Sequence, residues 1–417
     1  MNVAVIGAGI VGAACAFRLA ERGHRVTLIE PGEPGGKQSA SYGNGCWLSP
    51  SSVVPMSLPG IVWKVPKFLA DPLGPLAIRP AYLPRMAPWL WRWVRAGATV
   101  AKVEATARAL RPLVEDAPAR HLDLARAVGA EALIHRGGIL YVFPDRAAFA
   151  AEALAWRLRR DNGVRWIELD ENELGQREPA LSRDYRFGVL VEEGGHCSDP
   201  QALVAAIVAG AVGFGARLVQ RAATGFRIEA GRLHAVVTDQ GEIAAERAVI
   251  AAGAFSKRLA AAAGDAVPLE TERGYHAEVS MPEAGPRTPT MPSDGKMSCT
   301  AVAGGLRCSG QVELAGLDAA PNFRRAEILR DFLLRMYPAL PRNLPAERVT
   351  FWMGHRPSIA DGLPVIGFSR ATQDVVHAFG HGHVGLAAGP KTAAWVAALI
   401  AGEPPGADLA AYSAQRF

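Results

Sequence analysis

The sequence predicts an α/β nucleotide-binding domain assembled from separated stretches of chain and interleaved with a second, α+β domain built on an antiparallel sheet. Three observations carry this. The chain opens with a strand, a glycine-rich turn and a helix; the strand–helix alternation stops after Pro50; and it returns twice, near Pro200 and near Val375. A contiguous dinucleotide domain would have continued the βαβ pattern without that break.

The apolar run at residues 3–6 enters Gly7-Ala8-Gly9-Ile10-Val11-Gly12. In this pattern Gly7 permits the tight turn, Gly9 lets the backbone approach a pyrophosphate, and Gly12 lets the helix pack closely on the strand. An amphipathic helix over 11–22, stopped by Gly23, leads to a second strand over 25–29 that ends at Glu30. The helix N-terminus offers unpaired N–H groups to a diphosphate. Glu30 can accept hydrogen bonds from an adenosine ribose and would repel a 2′-phosphate. Ala8, Ile10, Val11 and Pro31 complete the stretch expected along the nucleotide. The motif alone leaves FAD and NAD both open.

From residue 58 the texture changes. A stretch rich in proline and tryptophan runs to residue 100, followed by a long helical region over 102–128. Nucleotide-domain texture returns with a helix over 200–216, introduced by Ser198-Asp199-Pro200, a hairpin over 225–228 and 233–238, and a strand over 247–252 closing at Gly253. It returns again as a strand over 375–379, a loop over 380–385 and a helix over 386–400 stopped by Gly402. Strands at 138–144, 187–192, 277–281 and 305–310, with helices at 102–128 and 326–336, predict the second domain. The expected division is 1–57, 195–267 and 351–417 for the nucleotide domain, and 58–194 and 268–350 for the substrate domain. Such interleaving places a ligand cleft between them.

Composition narrows the classes. With 417 residues, 49% hydrophobic and 20% charged, the chain is globular and long enough for two domains. The net charge of +5 comes from scattered basic residues, which argues against a nucleic-acid partner. Cys15, Cys46, Cys197, Cys299 and Cys308 stand at no metal-ligand spacing, so reduced, mostly buried thiols and no metal site are expected. The chain enters its first strand without a secretory leader, so a cytoplasmic location is expected. Residues 200–219 are nearly uncharged, yet their length and capping favour a buried helix over a membrane span. Residues 58–100 combine Trp63, Trp89, Trp91 and Trp93 with Lys64, Lys67, Arg79, Arg85, Arg92 and Arg95. Such a mixture suits a lipid surface, which would put the protein at the inner face of the cell membrane; aromatics packed against the protein are the preferred reading.

Further motifs extend over most of the chain: Ser41-Tyr42-Gly43-Asn44-Gly45 followed by Ser49-Pro50; Gly74-Pro75-Leu76-Ala77-Ile78-Arg79-Pro80; Ala251-Ala252-Gly253-Ala254-Phe255-Ser256; Trp352-Met353-Gly354-His355-Arg356-Pro357 with Asp361-Gly362-Leu363-Pro364-Val365-Ile366-Gly367; and Gly380-His381-Gly382-His383-Val384-Gly385. With the opening motif and Glu30, they make the chain resemble the FAD-dependent D-amino acid oxidase superfamily and, within it, the bacterial D-amino acid dehydrogenases. The resemblance implies FAD, hydride transfer from the substrate Cα to flavin N5, and an imine that water hydrolyses to a 2-oxo acid and ammonia. The protein then needs mainly to hold a small amino acid still with its amine deprotonated. Electrons pass to a quinone in a dehydrogenase and to dioxygen in an oxidase. Two alternatives stay open: a secondary-amine, glycine, sarcosine or hydroxyproline oxidase or dehydrogenase of the same superfamily, and a nucleotide-binding subunit without catalysis.

The resemblance also implies site residues. Arg356 matches the arginine of a Gly-x-Arg-Pro motif, similar to the position that clamps substrate carboxylates, and a guanidinium suits that task because it offers two parallel hydrogen bonds. Its alternative is a structural tie between the loop before Asp361 and the second domain. Relatives often carry a tyrosine near residues 295–299, where this chain has none; Tyr275 or Ser298 could supply the missing hydroxyl. His383 is expected to hydrogen-bond substrate or flavin and to assist amine deprotonation, or else to pack the loop. His381 is expected to be structural and His377 to sit in the core. Backbone contacts to the cofactor are expected from Gly43, Asn44, Gly45, Ala252, Gly253, Gly380, Gly382, Val384, Gly385 and Leu386, with hydroxyls from Ser39 and Ser41 and contacts from Arg356 and His383. The N–H groups of residues 384–387 would face the reduced flavin edge. No cysteine stands near residues 352–367, so FAD is expected to be bound non-covalently.

Overall fold

The computed structural model describes residues 1–280 and 284–417, with the Lys67 side chain outside the description. Its first sheet has six strands in the order Arg217–Val219, Arg25–Ile29, Asn2–Ile6, Arg247–Ile250, Val375–Phe379, Val365–Phe368. The first five run parallel and Val365–Phe368 antiparallel at the edge. Val3, Ala4, Val5 and Ile6 are all buried, as a parallel strand covered on both faces requires. Helices Ile10–Glu21, Pro200–Gly213 and Gly385–Ala401 pack on one face around Phe17, Leu203, Ile207 and Val396. An antiparallel meander, Ala223–Glu229, Arg232–Thr238 and Gly241–Ala244, covers the other through Leu233, Val236 and Ile243.

The second sheet runs Val349–Ile359, Leu269–Val279, Gly305–Leu314, Ser298–Val302, Thr290–Pro292, Ile139–Phe143, Phe187–Val191, Ile167–Leu169, with Leu76–Ile78 also paired to Gly305–Leu314. It is antiparallel except where Thr290–Pro292 meets Ile139–Phe143 and where Leu76–Ile78 joins. Helix Arg324–Met336 seals one face, packing its Leu329 and Leu333 over Tyr275, Cys299 and Cys308. The opposite face looks toward the first sheet, and that is where the site forms.

Several elements depart from expectation. Val349–Ile359 pairs with Leu269–Val279 along its whole length, so the second sheet continues to Ile359, past the expected boundary at 350/351. Of the strand expected at 277–281, residues 277–279 form the end of a much longer strand, and Met281 lies outside the described residues. The helical region at 102–128 is two helices, Val100–Val114 and Ala117–Ala127, divided where Pro118 restarts the chain. They pack on Gly385–Ala401 rather than on the second sheet, through Leu110, Leu113 and Trp395 and a hydrogen bond from His121 Nε2 to the Leu386 carbonyl at 2.8 Å. The helix from Pro200 ends at Gly213 and is buried along one face.

In the tryptophan-rich stretch, Trp89 and Trp93 stack 6.2 Å apart inside a cluster with Ile78, Met86 and Leu314. Packing therefore explains those two. Trp63 and Trp91 remain 85% and 62% exposed. Among the described residues no helix is long and apolar enough to cross a membrane. All five cysteines are buried and free.

Candidate active site

A continuous cavity of about 2090 Å³ runs from Gly7 and Glu30 at the first sheet to Arg356 at the second. At the first end Gly7 adopts φ +101°, and a Cβ there would meet the Ala251 carbonyl oxygen at 2.6 Å. Gly12 faces away from the cavity; a Cβ on it would overlap the Gly7 carbonyl oxygen, so its role is helix–strand contact. Gly9, Ile10 and Val11 line the cavity, and Gly9, as N-cap of the first helix, gives no side-chain cap. Ser41 Oγ accepts from the Ile10 N–H at 3.0 Å. Glu30 is held by the N–H groups of Ala8 at 2.8 Å and Gly32 at 3.1 Å. Ala8 thus acts through its backbone and does not line the cavity, whereas Pro31 and Ser39 do.

The middle of the cavity is a narrow cradle. A Cβ at Gly43 would overlap the Trp352 ring and one at Gly45 the Ser298 hydroxyl. Asn44 braces this loop, donating to the Ser41 carbonyl at 2.7 Å and accepting from the Cys46 N–H at 2.6 Å. Ala252 and Gly253 line the cavity opposite. On the far side come Gly380, Gly382, Val384, Gly385 and Leu386, where the last helix starts without a side-chain cap. Two helix starts whose N-cap residues give no side-chain cap, the Glu30 carboxylate and a cradle that excludes Cβ atoms fit FAD.

At the second sheet Arg356 stands directly opposite Glu272 in the antiparallel register. Its guanidinium lies over Gly274, where any side chain would overlap it. Nη1 donates to the Gln311 carbonyl at 2.8 Å and Nη2 to that of Gly310 at 3.2 Å. Those carbonyls are free because the ladder is irregular there: Arg273 pairs with Glu313 but Tyr275 with Gly310, and Gln311 takes φ +60°. Burial lowers the Arg356 pKa to about 10, against the opposing pull of Glu272.

Glu272, which the sequence reading passed over, is fully enclosed. Its Oε1 accepts from Ser358 Oγ at 2.7 Å, while Oε2 has no hydrogen-bond partner. His383 Nδ1 lies 3.6 Å from that oxygen. The imidazole lines the cavity with 34% of its side-chain surface accessible, and its enclosure in the site, followed by the Arg356 charge, lowers its pKa. Burial also raises the Glu272 pKa. Glu272 carries no motif signal of its own; only the pairing of two strands with Arg356 on one reveals it.

Tyr275 does not belong to the cavity. It points to the opposite face of its strand, fully buried, donating to Glu313 Oε2 at 2.6 Å and accepting from the Asn322 N–H at 3.0 Å. The alternation of a strand explains this: Gly274 faces the cavity, so its neighbour faces the helix-covered core. Ser298 lines the cavity against Gly45, with its hydroxyl donated to the Ser309 carbonyl at 3.3 Å. His381 bonds Thr392 Oγ1 at 2.9 Å and His377 bonds Asp265 at 2.8 Å, both buried, the structural positions expected of them.

Comparison with known proteins gives the same outline. The chain belongs to the FAD dependent oxidoreductase family DAO, whose profile matches residues 2–399. It is 54% identical to a D-amino-acid oxidase of Bradyrhizobium diazoefficiens, over all of this chain and 99% of that protein. It is 30% identical to D-amino acid dehydrogenase 2 of Ralstonia nicotianae, covering all of both. Among solved structures it is similar to glycine oxidase from Geobacillus kaustophilus, with TM-score 0.74 at 23% identity over all of this chain and 98% of that one.

Proposed function

From membership of that family we propose that the chain catalyses FAD-dependent oxidative deamination of a D-amino acid, releasing a 2-oxo acid and ammonia. The observation that carries the reading is the 54% identity, over the whole chain, to a protein named D-amino-acid oxidase. FAD, when bound, supplies the hydride acceptor. Arg356 clamps the substrate carboxylate: two of the five N–H donors of a guanidinium are engaged by Gln311 and Gly310, and the remainder serve the substrate. Fixing that carboxylate fixes the Cα. His383, neutral in this setting, takes the proton that the substrate ammonium must lose. Ser298 and Gly43 to Gly45 shape the cradle for the flavin ring, and the start of the helix at Gly385 presents its positive end to charge that develops there.

Arg356→Leu tests the clamp. It should raise KM by at least a hundredfold or abolish turnover while the purified protein keeps its flavin spectrum; unchanged kinetics remove Arg356 from substrate binding. The substrate class is tested by adding D- and L-amino acids, glycine, sarcosine and cyclic imino acids anaerobically and following flavin bleaching. Bleaching by primary D-amino acids is expected, and bleaching by N-alkyl or cyclic amines alone overturns the reading.

The acceptor has a reading from each of two observations. The name of the 54% identical relative supports dioxygen. The exposed Trp63 and Trp91, beside Lys64, Arg92 and Arg95, support a peripheral contact with an anionic bilayer and delivery to its quinone. Peroxide formed in step with substrate consumption favours the first. Co-sedimentation with anionic vesicles that Trp63→Ala and Trp91→Ala together abolish favours the second.

A further inference from the structure

The substrate ammonium must give up a proton at the cavity wall, and there the His383 imidazole has a carboxyl of the neighbouring sheet behind it. Glu272 is a fully buried carboxyl with one oxygen tied to Ser358 and the other without a hydrogen-bond partner, 3.6 Å from His383 Nδ1. A buried acceptor without a partner is uncommon and calls for an explanation. Glu272 does not line the cavity, whereas His383 and Arg356 do, so it reaches substrate only through them. We propose that Glu272 is a positioning residue for deprotonation of the substrate: it orients the His383 ring and supplies the countercharge for the imidazolium formed when His383 accepts the ammonium proton.

The inference rests on the reading of Arg356 and His383 as substrate-facing groups and adds a coupling between them. The charged groups facing His383 are Arg356 on Val349–Ile359 and Glu272 on Leu269–Val279. His355, one residue before Arg356, bonds Thr271 Oγ1 at 2.9 Å and is held neutral by burial, its pKa lowered to about 4. With no anion on Arg356, burial and the guanidinium charge both oppose a second cation, and the imidazole stays neutral. A substrate carboxylate bound to Arg356 cancels the second of those causes, leaving Glu272, 3.6 Å away, to favour the imidazolium. The substrate N–H bond breaks, the proton joins the imidazole, and Nδ1–H then donates to Glu272 Oε2. Binding of the carboxylate thereby switches on the base.

Two measurements on the FAD-loaded protein test this. Benzoate carries a carboxylate and no amine, so its binding should draw a proton from solvent onto the His383–Glu272 pair. Calorimetry at pH 6 in buffers of different ionisation enthalpy should show uptake of a substantial fraction of a proton, and no uptake overturns the proposal without requiring any variant. Second, Glu272→Gln keeps the Ser358 contact and loses the charge. It should lower kcat about tenfold, move the acid limb of kcat to lower pH because the imidazolium has lost its countercharge, and leave KM within threefold. His383→Ala separates the two levels. If it changes neither kcat nor the limb, His383 is not the base and the underlying reading fails; if it changes both while Glu272→Gln changes neither, the positioning role alone fails.

Discussion

Gly274 and Arg356 share one volume, since a side chain at residue 274 would overlap the guanidinium. Gly274→Ala should therefore push Arg356 off the Gly310 and Gln311 carbonyls and raise KM tenfold or more, with kcat and flavin content less affected. A KM within twofold of wild type would show that the guanidinium has room elsewhere. Tyr275 is the opposite case: Tyr275→Phe removes a buried hydroxyl from Glu313 and Asn322, which should lower stability by about 1–3 kcal/mol in denaturant melts and leave KM unchanged. Arg356 was legible because its motif is local. Glu272 was not, because its neighbours come from Val349–Ile359 and the loop at His383, and no spacing along the chain records that proximity.

The same division holds for elements. The strand–turn–helix at the N-terminus was readable because its packing demands fall on consecutive residues. Gly12→Ala tests that: the added methyl overlaps the Gly7 carbonyl, so the helix must lift from the strand, costing about 1–3 kcal/mol. The purified variant should carry little flavin, and full flavin content with an unchanged Tm would contradict the account. Val349–Ile359 was harder to read. It is the last strand of its sheet, meeting only the His381 loop on its other side, and such an edge position tolerates Pro357 and polar side chains that mask a period-two pattern. The helices Val100–Val114 and Ala117–Ala127 were legible as helices but not in their partner. Their apolar faces pack on the last helix, some 270 residues later in sequence, and amphipathicity says only that a face is buried, not against what.

At the scale of the whole molecule, the interleaved fold buries histidines where its stretches of chain meet. His121 ties the helix Ala117–Ala127 to the last helix. His276 packs beside Tyr42 and Trp352 and donates to the Gly43 carbonyl at 3.1 Å. His381 anchors the loop before the last helix to Thr392. Burial lowers the pKa of His121 and His381 to about 4, and burial with the Arg307 charge lowers that of His276 to about 3. In the unfolded chain each would titrate near the ordinary histidine value of about 6.5. Between that value and its folded pKa, the unfolded state therefore binds the extra proton, so stability is full above about pH 6.5 and declines as pH falls toward 4. Each residue removes on the order of 3 kcal/mol over that window, and three together approach the whole margin of an ordinary domain, about 5–15 kcal/mol. Acid unfolding should accordingly begin while most carboxylates are still ionised. Tm should hold between pH 8 and 7, then fall steeply below about pH 6, with each of these three rings contributing close to one proton to the uptake on unfolding near pH 5. His121→Gln keeps a donor for the Leu386 carbonyl and removes one titrating ring, so it should reduce that uptake by one; a Tm independent of pH from 7 to 5 would sink the argument for all three.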